Sequence, residues 1–184
     1  MLSEKEKMLA GDLYNPADTQ LISERQRARQ LLREYNNHLL VEDERQHRIL
    51  EELMGALGHD SFVQAPFFCD YGSNIYLGDS VYFNYNCVIL DVASVEIGSH
   101  SLFGPNVQIY TATHPIGFQE RASGLEYGKS IIIGEHVWVG GSAIIGPGIT
   151  VGDRSVIGAG SVVVRDIPAD VFAAGNPCRV IRAL

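Results

Sequence analysis

The sequence predicts a mostly β protein built as a parallel β-helix, and three observations predict it. One aliphatic residue returns at every sixth position as Ile133, Val139, Ile145, Val151, Ile157 and Val163. A second series lies four residues further on: Val137, Ala143, Ile149, Ser155, Ser161 and Ile167. Glycine directly follows most of the first series, as Gly134, Gly140, Gly146, Gly152 and Gly158. No helix has a period of six, and a simple alternating strand would not space glycine so regularly. A hexapeptide period marks short strands wound around a prism. Each hexad turns a large aliphatic inward and sets a small residue near the corner, where glycine or Asx bends the chain onto the next face. Three hexads make a coil of roughly 18 residues, and coils stack at about 4.7 Å.

Residues 1–60 read as a helical segment. Ser3 followed by Glu6 forms a capping box for a short helix ending near Gly11. Asp18 or Thr19 caps a longer helix through Tyr35, with Leu21, Ala28, Leu31, Leu32 and Tyr35 at helical intervals. A third helix is expected from about Asp43 to Leu57, with Ile49, Leu50, Leu53, Met54 and Leu57 on one face and Gly55 and Gly58 marking its end. Helices ahead of a β-helix are expected to cover an open end of the prism, because bare strand edges invite aggregation.

The β-helix is expected over 61–184, its pattern starting at Ala65. Leu77, Phe83 and Ile89 keep the six-residue step, a slip follows, and Ile97, Phe103 and Ile109 resume it. Residues 111–130 carry no repeat and must loop outward, since each coil has to rejoin the stack; long loops on rigid scaffolds concentrate function. The tail 168–184 is expected to leave the repeat after Pro168.

A chain of 184 residues suits one domain with a small appended element. No apolar run approaches the roughly 18 residues of a membrane span, and the opening residues Met1 to Lys7 carry no apolar signal region. Cys69, Cys87 and Cys178 are odd in number and lack metal-type spacing, so reduced thiols in a cytoplasmic protein are expected. A net charge of −8 argues against a nucleic-acid partner. Within 165–184, however, Arg165, Arg179 and Arg182 outnumber Asp166 and Asp170. That excess reads either as solvated charge or as a local site for an anion such as a nucleotide phosphate.

Several stretches carry a family resemblance: 4–11 (EKEKMLAG), 70–75 (DYGSNI), 111–115 (TATHP), 137–141 (VWVGG), 158–161 (GAGS) and 173–181 (AAGNPCRVI). Together they resemble the hexapeptide-repeat acetyltransferases, and in particular the maltose and galactoside O-acetyltransferases, across nearly the whole chain. The resemblance implies a left-handed β-helix that assembles as a homotrimer, with active sites between neighbouring prisms. It also implies transfer of acetyl from acetyl-CoA to a sugar hydroxyl, with no metal required.

A sugar hydroxyl is nearly un-ionised at neutral pH, so its attack on a thioester needs a base, and histidine has a suitable pKa. The resemblance implies that His114 is that base, although a loop histidine beside proline reads as incidental from the residues alone. Asn84 is implied to contact the acceptor hydroxyl and help stabilise the oxyanion; otherwise it reads as a turn asparagine. Asp18, Asp70, Asn84 and Glu126 are implied to surround the sugar, while Asp18 also reads as a helix cap. Galactoside-directed relatives differ at the Glu126 position and carry serine at the Asp70 position, which favours the maltose- or glucose-acetylating branch. For acetyl-CoA the resemblance implies Gly141, Ala159, Val164, Arg165, Arg179 and Arg182. Trp138 reads equally as packing on the pantetheine arm or filling a coil corner. Gly158-Ala159-Gly160 is not a dinucleotide fingerprint, since the third glycine and the strand–helix context are missing.

Two readings from other classes stand beside this one. A β-helix can be a zinc enzyme of the γ-carbonic anhydrase type, for which His100, His114 and His136 are the available ligands, without the close histidine pair such a site uses. A β-helix can also be a non-catalytic scaffold, against which stand the interrupting loop, Asn84 and the basic tail.

Overall fold

The computed structural model describes residues 2–37 and 44–184; Met1 and Asp43, the expected start of the third helix, lie outside the described residues. The chain forms the expected left-handed parallel β-helix with a helical N-terminal segment. Three sheets make the prism. The first face holds Ala56–Leu57, Ile75–Leu77, Val95–Ile97, Ile131–Ile133 and Thr150–Val151. The second stacks Phe62–Val63, Tyr82–Phe83, Leu102–Phe103, Trp138–Val139, Val156–Ile157 and Val171–Ala174, with Arg179–Ala183 added antiparallel. Phe67–Cys69, Cys87–Leu90, Gln108–Tyr110, Ile144–Ile145 and Val162–Val163 make the third.

All six members of each hexad series from Ile133 onward are buried. On the second face the inward ladder runs Val63, Phe83, Phe103, Val139, Ile157 and Ala173, with the Phe83 and Phe103 rings stacked 4.1 Å apart. Each fully buried aliphatic contributes about 1.5–3 kcal/mol relative to exposure. Ser101, Ser155 and Ser161 interrupt the apolar columns without leaving polar atoms unpaired. Ser101 Oγ donates to Gly134 O (2.8 Å), Ser155 Oγ to Pro168 O (2.7 Å) and Ser161 Oγ to Gly158 O (2.6 Å).

The repeated glycines serve a different purpose from the expected one. The positive-φ residues of the first corner are Asp60, Ser80, His100, His136, Arg154 and Asp170; the first five lie two positions after a glycine and Asp170 two after Pro168. The glycines are required because successive coils nearly touch there: a Cβ on Gly98 would lie 2.6 Å from Glu135 N, and one on Gly58 2.2 Å from Gly78 O.

The slip in the repeat has one location. Leu57 pairs with Leu77 and Leu77 with Ile97, a step of 20 residues, whereas Val139 pairs with Ile157, a step of 18. The surplus residues leave the prism at the third corner, between the third and first faces, where residues 70–74, 91–94 and 111–130 lie.

The N-terminal helices do two jobs. The first helix, α1 (Glu4–Ala10), has the expected Ser3–Glu6 capping box and ends on Gly11 at φ 78°. The second, α2, spans Thr19–Asn37. Its last turn closes the open end of the prism as expected. The Tyr35 hydroxyl donates to Val63 O, and the Asn36 amide exchanges two 2.9 Å bonds with the backbone of Phe67. Edge groups that a neighbouring coil would have satisfied are thereby paired. The third helix, α3 (Glu44–Leu53), stops before the expected Leu57, because Ala56–Leu57 pairs in parallel with Tyr76–Leu77 and starts the first coil. Tertiary strand pairing wins there over helical spacing, and the β pattern begins ahead of Ala65. The second job was not foreseen: α1 and the start of α2 pack on the side of the prism, where Met8, Tyr14, Leu21, Tyr71 and Val92 form a small core of their own. The tail also differs, since Val171–Ala174 adds one more parallel rung before the chain turns back.

Placing a methyl group against the backbone of the next coil should be costly. Gly98→Ala is expected to lower stability by about 1–3 kcal/mol, the usual scale of an overpacked site, read as a lower midpoint in urea unfolding.

Candidate active site

The third corner carries the first group of candidate side chains. Thr111 closes its rung, with its backbone N–H on Leu90 O at 3.0 Å and its hydroxyl accepting Ala93 N–H at 3.0 Å. The chain then leaves the prism as a hairpin in which Ala112–Thr113 pairs antiparallel with Tyr127–Gly128, and a single turn, Phe118–Arg121, lies in the loop. His114 directly follows the outgoing strand and Glu126 directly precedes the returning one. The hairpin therefore sets them face to face, His114 Nε2 at 3.8 Å from Glu126 Oε2. The imidazole is half exposed (53 %) and the carboxylate largely covered (19 %).

Glu126 is held from behind by Tyr14. The Tyr14 hydroxyl donates to Glu126 Oε1, and the two residues exchange backbone N–H···O bonds of 3.0 and 3.2 Å. Tyr14 is completely buried. Burial, then the Glu126 carboxylate, pushes its pKa far above the usual phenol value, so it remains a donor.

Asp70 lies at the same corner. Burial raises its pKa and the Glu126 charge adds to the rise, while Arg25 and Arg29 of α2 oppose it. Arg25 Nη1 donates to the Tyr71 hydroxyl and Nη2 to Pro16 O, both at 2.6 Å, with the guanidinium 5.6 Å from the Tyr71 ring centre. Burial pushes the Tyr71 phenol up to about 12.

The scaffold of this corner is Asp91, which the sequence reading missed. Its Oδ1 accepts the N–H groups of Asp70 (3.0 Å) and Tyr71 (2.9 Å), and its Oδ2 accepts that of Asn74 (3.3 Å). The Asn74 amide returns a 2.7 Å bond to Asp91 O. Asp91 sits where the hexad slips, and a polar residue at a widened corner was the available signal. Burial pushes its carboxyl up to about 7, against the pull of the N–H donors.

A second group occupies a different edge, between the second and third faces. Asn84 donates its backbone N–H to Phe103 O at 2.9 Å, and its Oδ1 accepts the N–H of Tyr85 at 2.8 Å. The amide donors of Asn84 have no partner among the described residues. Later coils stack small residues along this edge: Gly140 N–H meets Ile157 O at 2.7 Å, and Gly160 N–H meets Gly141 O at 2.9 Å, next to exposed Ala159. Trp138 is 55 % exposed on the outer second face between Leu102 and Val156, so it does not fill a corner. Val164 and Arg165 follow the last strand of the third face and are exposed. Arg179 and Arg182 lie on the final strand, with Arg182 5.9 Å from the Phe172 ring centre. None of these three arginines pairs with a carboxylate among the described residues.

The structure thus brings together His114, Glu126 and Asp70, and separately gathers Asn84, Gly141 and Ala159. The strand Cys87–Leu90 separates the two corners within one chain, a length of roughly 13 Å. Asp18 caps α2, accepting the N–H groups of Gln20 (2.9 Å) and Leu21 (3.3 Å). His100 and His136 stack 4.8 Å apart at the first corner, away from His114. No group of three His, Cys, Asp or Glu side chains placed to hold a metal occurs among the described residues.

Comparison with known proteins decides the family. The maltose acetyltransferase hexapeptide capping motif matches residues 7–58, and the bacterial transferase hexapeptide (six repeats) matches 130–165. Nodulation protein L of Rhizobium leguminosarum bv. viciae is 53 % identical over 178 residues, 97 % of this chain and 94 % of that one. A maltose O-acetyltransferase structure from Clostridium difficile 630 superposes with a TM-score of 0.98 at 50 % identity, covering 100 % and 98 % of the two chains. The chain belongs to the maltose and galactoside O-acetyltransferase family. A galactoside acetyltransferase solved in complex with coenzyme A matches over 100 % of this chain and 92 % of that one, with a TM-score of 0.96 and 39 % identity. The protein is therefore an acetyltransferase of the hexapeptide-repeat kind. No described helix is long and apolar enough to cross a membrane.

Asp91 gives this acetyltransferase a pH signature. Its carboxyl titrates near 7 in the folded chain and near 3.9 when unfolded, so the folded state binds the extra proton between those values. The stabilisation is fully present below about pH 4 and is lost as pH rises through about 7. Urea unfolding across that window should show the wild type losing stability relative to Asp91→Asn, whose amide does not titrate.

Proposed function

We propose that this enzyme moves the acetyl group of acetyl-CoA to a hydroxyl of a sugar, of the maltose or glucose kind, with His114 as general base. The observation that carries the reading is the exposed imidazole at the root of the hairpin, facing the Glu126 carboxylate, whose charge in turn acts on Asp70. His114 takes the acceptor proton as the hydroxyl oxygen attacks the thioester carbonyl. The C–S bond then breaks, and the imidazolium returns the proton to the departing thiolate. The free amide donors of Asn84 suit the oxyanion formed between those events. Asp70 and Glu126 suit a polyol, since carboxylates accept paired hydroxyl hydrogen bonds.

The small-residue edge fits the acyl donor. Gly141 and Ala159 leave backbone groups open to an extended amide chain, Trp138 offers an exposed apolar face nearby, and Val164 extends the edge. Arg165, Arg179 and Arg182 supply unpaired cations for phosphates. Asp18 joins the acceptor set only through its carboxylate rim, since Oδ1 is engaged in capping.

The separation of the two corners supports a shared site. In the proposed homotrimer the base corner of one prism meets the small-residue edge of its neighbour, and that junction occurs three times. Free Cys69, Cys87 and Cys178 suit a reducing, cytoplasmic setting.

Incubation with acetyl-CoA, a panel of sugars and a thiol reagent tests the reading. Coenzyme A is expected to be released with maltose or glucose. His114→Ala should stay folded and turn over about 10²- to 10⁴-fold more slowly, the scale of a lost general base; wild-type turnover in that variant would sink the mechanism. Arg179→Ala should raise the KM for acetyl-CoA more than the KM for sugar, as steady-state kinetics with each substrate varied will read.

A further inference from the structure

The interaction that the proposed mechanism leaves unused is the one behind Glu126. We propose that Tyr14 is a positioning residue for the acetyl transfer: its buried hydroxyl, together with the two-way backbone bridge, fixes the Glu126 carboxylate opposite the His114 imidazole. The inference rests on the reading of His114 as the base.

Three independent contacts converge on Glu126. The hydroxyl of Tyr14 takes Oε1, which leaves Oε2 as the oxygen facing Nε2 at 3.8 Å. The backbone bridge fixes where residue 126 begins, and the Ala112–Thr113 and Tyr127–Gly128 pairing fixes the hairpin on either side. The Tyr14 ring has no freedom to follow a wandering carboxylate, because Met8, Leu21, Tyr71 and Val92 enclose it. A carboxylate on a surface hairpin would otherwise sample several rotamers, and misplacement on the ångström scale costs catalytic groups dearly. Tyr14 itself sits between α1 and α2, so the N-terminal helices carry part of the geometry of the base.

The test is a cycle of three variants, Tyr14→Phe, Glu126→Ala and the double variant, measured for kcat and for the KM of acetyl-CoA. Phenylalanine keeps the buried ring and the backbone bridge and removes only the hydroxyl. Tyr14→Phe is expected to lower kcat roughly 5- to 50-fold with the KM of acetyl-CoA unchanged. In the Glu126→Ala background the same change should lower kcat no further, because the hydroxyl then has nothing to hold. A Tyr14→Phe enzyme of wild-type kcat, or full multiplication of the two losses in the double variant, would overturn the inference. Should Tyr14→Phe fail to fold, Glu126→Ala, which leaves the Tyr14 ring in place, decides: wild-type kcat there overturns it. His114→Ala measured alongside separates the two failures. Wild-type turnover in that variant removes the base itself, whereas an inactive His114→Ala beside an unaffected Tyr14→Phe removes only the role of Tyr14.

Discussion

Coil must land on coil, and that constraint shapes everything else in this molecule. Coils approach so closely at the first corner that a single added Cβ would meet the next rung at 2.7 Å or less. Nothing can be inserted there without breaking the stack, and the small-residue edge is similarly crowded, with a Cβ on Gly104 2.5 Å from Gly141 N. Surplus residues therefore leave at the one corner that tolerates them, the third. Two-residue widenings at 70–74 and 91–94 appear there first, and then the hairpin of 111–130. That hairpin is the extreme case of a deviation already present in the coils beneath it.

Asp91 shows how the widened corner is kept rigid. Bulging a coil strips backbone N–H groups of their partners in the neighbouring rung, and a buried unpaired N–H is costly. One carboxylate gathers three of them, so Asp70 is delivered beside Glu126 on a backbone whose N–H groups at 70, 71 and 74 are all paired. The electrostatic consequence is an accumulation of acids, which burial makes expensive and which Arg25 and Arg29 partly offset.

Much of this was legible in the sequence, for reasons that differ by element. The six-residue ladder reads directly because every interior position has the same environment, and Val139 or Ile145 is as diagnostic as any neighbour. The Ser3–Glu6 box reads because capping is local. The end of α3 did not read, because Leu57 fits a helical face as well as it fits the first rung, and only pairing with Leu77 decides. The slip after Ile89 was visible as an irregularity, but its meaning depends on knowing that residues 70–74, 91–94 and 111–130 share one corner. Glu126 was implied by resemblance as a sugar contact. Its place opposite His114 comes from the hairpin register, and its tie to Tyr14 spans more than a hundred residues of chain, a distance that no local pattern encodes.

The N-terminal helices join the two themes. Their later part closes the prism by supplying the hydrogen bonds of a missing coil, as the Asn36 amide does for Phe67. Their earlier part encloses Tyr14 and braces the hairpin. A β-helix alone would offer an imidazole on a projecting loop with solvent on both sides. Packing α1 against the returning strand gives that loop a floor, so that the same segment protects a bare strand edge and holds the carboxylate facing the His114 imidazole. Stability of the first coil and geometry of the third corner are in this way carried by one continuous stretch of chain, much of it the capping motif that matches residues 7–58.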